Sequence, residues 1–346
     1  MPFVGSSLTA AVALFLAATV AIVLAGTRLA GVSDVLADRT GLGEAVVGAV
    51  LLGGSTSLSG IVTSITAASG GAAGLAVSNA VGGIAVQTLF LAVADLAYRQ
   101  ANLEHAAASP ANLAQGAALV TLLAIPILAF SGPQVSLFGV HPATPLLLAG
   151  YAFGLKITSE IQSEPMWAAK RTPETQNEAQ ESSEDSGSSG QSLSGLWTRF
   201  VLLGLTIGAA GWVVGRTGIT ISEQSGLTAT VVGALLTATV TSLPELVTSV
   251  AAVRRGALTL AVGGIIGGNA FDTIFVAFSD IFYREGSIYH AITQQQVFLI
   301  SLTMILTGVL LLGLLRREER GVANIGFESA LVIALYLGSF AFLIFG

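Results

Sequence analysis

Ten apolar segments, each about long enough to cross a lipid bilayer, dominate the sequence. They lie near residues 8–27, 42–69, 74–97, 113–130, 143–162, 196–215, 227–253, 257–282, 295–315 and 326–345. A bilayer-spanning helix needs about 20 predominantly apolar residues. In lipid, the backbone polar groups of a lone segment can pair with one another only in a helix. The sequence therefore predicts an all-α, polytopic membrane protein with about ten transmembrane helices.

The composition excludes several other classes of protein. Of 346 residues, 53% are hydrophobic and only 10% are charged, whereas about 25% of residues are charged in soluble domains. The absence of cysteine excludes thiolate metal sites and cysteine catalysis. The formal net charge of −6 provides no basic surface for nucleic acid. We therefore expect a lipid bilayer, and no nucleic acid, as the partner of the chain.

The basic residues predict an orientation in the membrane. No Lys or Arg precedes the first apolar segment, unlike in a cleaved signal peptide, so we interpret that segment as a span that begins outside. Cytoplasmic loops carry an excess of Lys and Arg. With both termini outside, 12 of the 14 basic residues lie on the cytoplasmic side, and only Arg216 and Arg284 lie outside. We expect an integral protein of the plasma (cell inner) membrane in this orientation.

A polar segment divides the chain into two halves. Residues 164–194 are acidic and rich in Ser, Gly and Glu, a composition typical of disordered linkers. They separate an N-terminal half, 1–163, from a C-terminal half, 195–346, with five predicted spans in each. The linker is predicted to be cytoplasmic. A passive tether explains it more simply than a regulatory element does.

The two halves contain copies of one sequence. Residues 41–100 align without a gap on 226–285, at a constant offset of 185, and 28 of the 60 paired positions are identical. Such identity indicates an internal duplication. Five spans in each half make the copies cross the membrane in opposite directions. Inverted repeats are the architecture of many secondary transporters, with the binding site where the repeats meet. A channel or a scaffold with the same architecture stays open as an alternative.

The second copy carries a carboxylate in the middle of an apolar segment. Glu245 lies within TATVTSLPELVTS, and an ionisable residue at membrane depth marks a functional site by default. Pro244 deprives the carbonyl of Val240 of its helical partner. Thr241 shares a helical face with Glu245, and Ser242 lies beside it. Carboxylate, hydroxyl and carbonyl oxygens are the ligands of hard cations such as Ca²⁺ and Na⁺.

A second carboxylate follows in the next span. Asp272 and Asn269 are three residues apart in GGIIGGNAFDT, so they share one face of a helix. Two acids at mid-membrane depth, Asp272 and Glu245, require a cation or a proton to balance their charge. The sequence therefore predicts a cation site.

The first copy supplies no carboxylate at the same depth. Gly60 stands where the second copy has Glu245, and Gln87 stands where it has Asp272. The hydroxyl residues of this region are kept at four positions: Thr56, Ser57, Thr63 and Ser64. A site shared by the two copies would therefore hold two negative charges, both from the second half.

The remaining polar residues are interpreted as structural. Asp95 and Asp280 lie at equivalent span ends, and we expect each to pair with the nearby arginine. The three histidines lie in separate loops and do not suggest a metal site: His105, His141 and His290. No nucleophile–base constellation is visible, so we expect neither an enzyme nor a bound cofactor.

These residues resemble the α-repeats of the calcium/cation antiporters, the sodium/calcium exchanger superfamily. TSLPELVTS and GGNAFDT in the second copy carry the resemblance, whereas the first copy is degenerate. The resemblance implies a ten-helix antiporter that exchanges Ca²⁺ for Na⁺, H⁺ or K⁺ at one site formed by spans 2, 3, 7 and 8. Matched to ligand positions of the family are Thr56, Ser57, Thr241, Ser242, Glu245 and Asp272. We expect Gln87 and Asn269 to complete the oxygen shell.

The departures from the family pattern leave the transported ion open. Gly60 replaces a glutamate of the first repeat, and losing one charge weakens the binding of a divalent ion more than that of a monovalent ion. A glutamate restored at position 60 is expected to strengthen Ca²⁺ uptake. We expect sodium (or proton)/calcium exchange by alternating access. The alternatives are a monovalent cation/proton exchanger on the same scaffold and a transport-inactive sensor or scaffold.

The resemblance also implies how access to the site would switch. Spans 1 and 6 are expected to slide past the site. The helices interrupted around Gly53-Gly54 and at Pro244 are expected to donate backbone carbonyls to the ion.

Overall fold

The computed structural model of the chain describes residues 7–40, 53–98, 102–170, 192–319, 321 and 325–345. The helices of the first half are α1 (Leu8–Thr40), α2 (Leu58–Ser69), α3 (Ala73–Ala97), α4 (Leu103–Ala106), α5 (Pro110–Ser131) and α6 (Ala143–Ser163). The second half begins with α7 (Leu193–Gln224), α8 (Ala229–Thr241), α9 (Leu243–Arg255) and α10 (Leu258–Asp272). It continues with α11 (Ile274–Phe282), α12 (Ile288–Ala291), α13 (Gln294–Arg316) and α14 (Phe327–Phe345).

The prediction of an all-helical membrane protein is confirmed in the described part of the chain. Seven helices there are long and apolar enough to cross a membrane, and the pair α8–α9, bent by 48°, adds an eighth. The short helix α2 is also apolar, with 12 residues. The beginning of the predicted second span, 42–52, lies outside the described residues, as do positions 171–191 of the predicted linker. A total of ten spans stays a prediction.

Two helices are longer than the sequence predicted. The first and sixth segments were expected to end near residues 27 and 215, but α1 continues to Thr40 and α7 to Gln224. Charged side chains do not end a helix when they project into water. Within α1, Arg28 donates a hydrogen bond back to the carbonyl of Leu24 at 3.3 Å. The boundaries were wrong because polarity was taken as the sign of a loop.

The helix boundaries recur at the 185-residue offset found in the sequence. α1 and α7 begin at Leu8 and Leu193, and the short helices α4 and α12 span Leu103–Ala106 and Ile288–Ala291. These helices lie outside the 60 aligned positions. The structural correspondence therefore extends further along each half than the obvious sequence identity does.

The helix α3 and its counterpart, α10 with α11, form the buried centre and run antiparallel. Both are mostly buried, whereas less than a third of the apolar window of α1 and of α7 is buried. Beyond the end of α11, the Glu285 carboxylate approaches Gly71, just before α3 begins. At the other end, Leu91 of α3 packs in one cluster with Leu258 at the start of α10. These two equivalent parts of the halves thus point in opposite directions.

The exposed helices α1 and α7 approach the centre through two glycines. A Cβ atom on Gly26 of α1 would lie 2.6 Å from Cγ of Pro244, and one on Gly211 of α7 would lie 2.7 Å from the carbonyl oxygen of Ser59. Both contacts involve positions related by the 185-residue offset. Small residues allow membrane helices this close an approach. α1 and α7 also pack on each other, through Ala25, Leu29 and Ile207.

Candidate functional site

A break between α8 and α9 places Glu245 at the start of a helix inside the bundle. Residues Val232–Thr237 of α8 form a π-helical stretch, a rare geometry that often occurs at functional sites. α9 then begins at Leu243, with Pro244 in its first turn, where a missing N–H costs nothing. Glu245 follows in the same turn. The positive end of the helix dipole favours a carboxylate there.

The hydroxyl of Ser57 joins the two carboxylates that the sequence predicted as one site. Its Oγ lies 2.7 Å from Oδ1 of Asp272 and 3.3 Å from Oε1 of Glu245. Ser57 immediately precedes α2, which is the counterpart of α9. The site therefore lies between the starts of two equivalent helices. All three residues are buried.

The amide of Gln87 holds the other oxygen of Asp272. Its Nε2 donates to Oδ2 of Asp272 at 2.7 Å and to Oγ of Ser242 at 3.2 Å. Gln87 lies on α3 and Asp272 on α10, so this contact joins the two central helices. Five of the eight predicted residues thus belong to one continuous network: Ser57, Gln87, Ser242, Glu245 and Asp272.

Three buried oxygen atoms around this network lack a hydrogen-bond donor within the described residues. They are Oε2 of Glu245, Oε1 of Gln87 and Oδ1 of Asn269. The amide nitrogen of Asn269 donates to Thr88 at 3.2 Å, which leaves its oxygen as the available group. Buried polar atoms are nearly always satisfied. A cation could satisfy these three acceptor atoms and balance the charge of the two carboxylates.

The two remaining predicted residues lie on the helices beside the network. The hydroxyl of Thr56 donates to the carbonyl of Gly53 at 3.1 Å, and that of Thr241 donates to Ala238 at 3.2 Å. Each hydroxyl thus donates to a backbone carbonyl three residues earlier in the chain. The break between α8 and α9 also separates Thr241 from Glu245, which the sequence placed on one continuous helical face.

One backbone carbonyl at each helix interruption accepts hydrogen bonds from nearby groups of the protein. Gly53 accepts both the Ser57 amide, at 2.9 Å, and the Thr56 hydroxyl. At the other interruption, Ser59 donates to the carbonyl of Thr241 at 3.2 Å. The Gly53 carbonyl therefore accepts two hydrogen bonds in this conformation, and the donation of carbonyls from the interrupted helices to an ion stays a prediction.

The ring of Phe275 fills the place of a side chain at position 60. A Cβ atom on Gly60 would lie 2.6 Å from Cε2 of this ring. Phe275 is buried and packs edge-on against Phe271, with ring centroids 6.2 Å apart. The expectation that a glutamate can simply be restored at position 60 therefore meets a steric obstacle.

The expected ion pair between Asp280 and its nearby arginine is wrong. Asp280 accepts hydrogen bonds from the amides of His141 and Ile288, at 2.8 and 3.0 Å, and from the hydroxyl of Thr144 at 2.7 Å. Its carboxylate thus accepts hydrogen bonds from the segment just before α6 and from the first residue of α12. Backbone amides are good partners for a buried carboxylate because they bring no flexible side chain.

The counterpart Asp95 holds its own loop in the same way. It accepts from the amide of Leu103 at 2.7 Å and from that of Gly326 at 3.4 Å. These are the positions equivalent to Ile288 and His141 at the 185-residue offset. The arginine expected to pair with Asp95, Arg99, lies outside the described residues.

The histidines are not all separate, contrary to the sequence-based expectation. The rings of His141 and His290 lie 5.4 Å apart, and Tyr289 packs on the first of them. Loops distant in sequence meet here because Asp280 ties both of them down. Within the described residues, the one group of three or more metal-binding side chains that could share an ion is acidic and lies elsewhere: Asp95, Glu104 and Glu328.

Three residues near the site were missed in the sequence. Ser59 and Thr88 bond to Thr241 and Asn269, and Phe275 blocks position 60. Ser59 and Thr88 could have been found, because each belongs to the duplicated segment that supplies Ser57 and Gln87. Phe275 carries no signal, since one aromatic residue in an apolar span looks like any other.

Comparisons with known proteins agree with the resemblance seen in the sequence. A family model described as "Sodium/calcium exchanger protein" matches residues 10–140 and 194–345, well over half of the chain. The sodium/calcium exchanger MaX1 of Methanosarcina acetivorans is 30% identical over 133 residues. That alignment covers 38% of this chain and 37% of the relative, so the chain matches little more than a third of its length.

Solved structures with a similar fold cover nearly the whole chain. The H⁺/Ca²⁺ exchanger CAX superposes with a TM-score of 0.61 at 14% identity, over 96% of this chain and 88% of that one. The sodium-calcium exchanger NCX_Mj, soaked with 10 mM Na⁺ and zero Ca²⁺, gives 0.59 at 19% identity, over 97% and 99%. YfkE gives 0.62 at 14% identity, over 95% and 91%. At these identities the likeness concerns the fold.

Proposed function

Because the chain belongs to the sodium/calcium exchanger family, we propose that it is a secondary active cation antiporter that exchanges Ca²⁺ for Na⁺ or H⁺ across a membrane. Its site would be the network around Glu245 and Asp272. The observation that carries this proposal is the pair of buried carboxylates joined by one hydroxyl, with three buried oxygens that have no donor in the described part of the chain. Hard cations bind such oxygen sets.

The eight predicted residues divide into two roles. Glu245 and Asp272 would supply the negative charge that binds either the driven or the driving ion. The neutral oxygens would complete the shell: Thr56, Ser57, Gln87, Thr241, Ser242 and Asn269. Since one site serves both ions, its occupation by one excludes the other, and this competition couples the two fluxes.

Alternating access would follow from the duplicated architecture. We propose ten spans in two inverted halves, with α1 and α7 as the pair that moves past the site. Two observations support this motion. α1 and α7 are the least buried of the candidate spans and pack on each other, and each approaches the centre at a glycine, Gly26 and Gly211, at equivalent positions. Those contacts involve Pro244 and Ser59, which lie within two residues of the ion ligands Ser242 and Ser57.

A second candidate is a monovalent cation/proton exchanger on the same scaffold. It is favoured by Phe275, which occupies the position from which the first half would contribute a third carboxylate. The missing third carboxylate weakens the binding of a divalent ion more than that of a monovalent ion, because Coulomb attraction scales with the charge of the ion.

Flux measurements in proteoliposomes test both candidates. We expect the parent protein to take up ⁴⁵Ca²⁺ or ²²Na⁺ against a counter-gradient of Na⁺ or H⁺, and Glu245→Gln and Asp272→Asn each to abolish uptake. Glu160→Gln, an exposed residue paired with Lys156, is the matched control. Uptake of ²²Na⁺ without ⁴⁵Ca²⁺ would favour the second candidate. Parent-level uptake by Glu245→Gln would refute the site.

A further inference from the structure

Three buried acids meet at the end of α3, far from the network around Glu245. Asp95, Glu104 and Glu328 each offer a carboxylate oxygen, and these oxygens lie within 4.8 Å of one another. All three side chains are at most 2% exposed. They come from the end of α3, from the short helix α4 and from the start of α14. We call this group the three-acid cluster.

The ion pairs recorded among the described residues do not reach the three-acid cluster. They join Lys156 to Glu160 and Arg316 to Glu318. Arg317, the next basic residue, donates its guanidinium hydrogens to the carbonyls of His105 and Lys170. The nearby Glu318 adds a further negative charge that acts on Glu328. The negative charge of the cluster is therefore not balanced by a neighbouring side chain of the described residues.

Buried polar atoms without a hydrogen-bond partner lie in and beside the three-acid cluster. Oε2 of Glu104 and Oε2 of Glu328 have no hydrogen-bond partner within the described residues, and neither does the amide Nδ2 of Asn102. Asn102 is 1% exposed, and its amide shares the space around Gly326 with the Glu328 carboxylate. Because the two ends of an amide are assigned only from their partners, a rotated Asn102 would present an oxygen to the same space.

The equivalent place in the other half shows that the glutamates are not needed for the loop. There Asp280 caps the corresponding amides, but Tyr289 stands where Glu104 does and Ala143 stands where Glu328 does. That copy is held together without any second acid. Glu104 and Glu328 are thus additions to a scaffold that works without them, at a considerable cost in desolvated charge.

We propose that the three-acid cluster is a binding site for a divalent cation, Ca²⁺, distinct from the site at Glu245 and Asp272. The ligands would be carboxylate oxygens of Asp95, Glu104 and Glu328, with the amide oxygen of Asn102 as a fourth. An all-oxygen set rich in carboxylates is the chemistry that Ca²⁺ prefers.

A bound ion would join three separate segments of the chain. Its ligands hold the end of α3, the α4 loop and the start of α14, which Asp95 already connects by accepting from the amides of Leu103 and Gly326. In the predicted orientation this end faces the cytoplasm. The ion would therefore stabilise one end of the bundle in response to cytoplasmic Ca²⁺.

The test uses the full chain in detergent, with the central site disabled by Glu245→Gln and Asp272→Asn. We expect this background protein still to bind one ⁴⁵Ca²⁺ per chain at equilibrium and to unfold at a higher temperature in the presence of Ca²⁺. Adding Glu104→Gln and Glu328→Gln should abolish both effects. Adding Glu160→Gln, an exposed glutamate on α6, should preserve both.

A misfolded variant would be recognised from its unfolding in the absence of ions. In chelator, Glu104→Gln/Glu328→Gln should unfold at a temperature at least as high as the background protein, because the substitutions relieve charge repulsion. If the two acids served only to stabilise the fold, the unfolding temperature would fall. Glu104→Asp keeps the charge but shortens the reach, so it should weaken Ca²⁺ binding at least tenfold. Absence of bound Ca²⁺ in the background, binding that survives Glu104→Gln/Glu328→Gln, or a response to Mg²⁺ alone would overturn the proposal.

Discussion

The ring of Phe275 lies against the α-carbon of Gly60, at the point where the first half of the molecule would otherwise direct a side chain into the bundle. The two residues belong to different halves, on α11 and α2. A larger residue at position 60 would clash with the ring, and a smaller residue at position 275 would leave a cavity, so we expect either change alone to destabilise the protein. This pair fixes the number of carboxylates that the central network can hold.

Gly60→Glu should therefore destabilise the protein rather than improve Ca²⁺ binding. Overpacking a filled core costs about 1–3 kcal/mol, and the midpoint of thermal unfolding should fall. Gly31→Glu is the control, because no atom lies within 4 Å of a Cβ at that position of α1. An unchanged midpoint for Gly60→Glu would show that Phe275 moves aside easily.

The double variant Gly60→Glu/Phe275→Ala should recover what each single variant loses. Phe275→Ala alone leaves a cavity that costs about 3–5 kcal/mol, and the new glutamate occupies part of it. The unfolding midpoints of the four proteins in this cycle should thus be strongly non-additive, and ⁴⁵Ca²⁺ binding to the double variant should exceed that of the parent. Additive losses would mean that positions 60 and 275 are independent.

Ser57→Ala should impair ion binding without unfolding the protein. It removes the hydroxyl that contacts Asp272 and Glu245 at 2.7 and 3.3 Å, and we expect ion uptake in proteoliposomes to fall at least about tenfold, the effect of losing about 1.4 kcal/mol. Ser301→Ala is the control, because that hydroxyl bonds only to the Val297 carbonyl of its own helix. Equal uptake by both variants would remove Ser57 from the site.

Gly26→Val should arrest transport through the contact between α1 and α9. A Cβ atom at position 26 would lie 2.6 Å from Pro244. The larger side chain should therefore push α1 away from α9 or prevent α1 from moving past it. Uptake should be lost while equilibrium binding of the ion is retained, because no ligand is touched. Gly31→Val, five residues further along α1 with open space around it, should transport normally. Normal uptake by Gly26→Val would exclude this contact from the moving parts.

Asp280→Ala should lower stability much more than Arg284→Ala. The aspartate satisfies two buried amides and one hydroxyl, and leaving a single buried donor unsatisfied costs about 1–3 kcal/mol. Arg284→Ala should change stability by no more than about 0.5 kcal/mol, as surface substitutions usually do. Thermal or denaturant unfolding in detergent compares them. Similar losses of stability in both variants would support the Asp280–Arg284 ion pair that was predicted from the sequence.

Much of the architecture could be predicted because lipid imposes simple rules on a sequence. The apolar segments located α3, α5 and α13 to within a few residues, and the duplication placed Glu245 and Asp272 in one site. A carboxylate inside an apolar run is conspicuous, so the two acids were easy to find. The structure then adds the contacts that Ser57, itself a predicted ligand, makes with both acids.

What could not be predicted depends on contacts that leave no mark in the sequence. The partners of Asp280 are mainly backbone amides, which every residue except proline possesses. The helix α1 includes the polar residues up to Thr40, and hydropathy alone cannot distinguish a polar stretch of helix from a loop. The three-acid cluster draws Glu104 and Glu328 from positions 224 residues apart, and only the fold makes them neighbours.

The glycine contacts of α1 and α7 put the same small residue at equivalent positions of the two halves but set it against different partners. Gly26 meets the pyrrolidine ring of Pro244, whereas its counterpart Gly211 meets the backbone carbonyl of Ser59. If α1 and α7 move past the site as we propose, the two halves of the transport cycle work against unlike contacts, and we expect them to differ in rate.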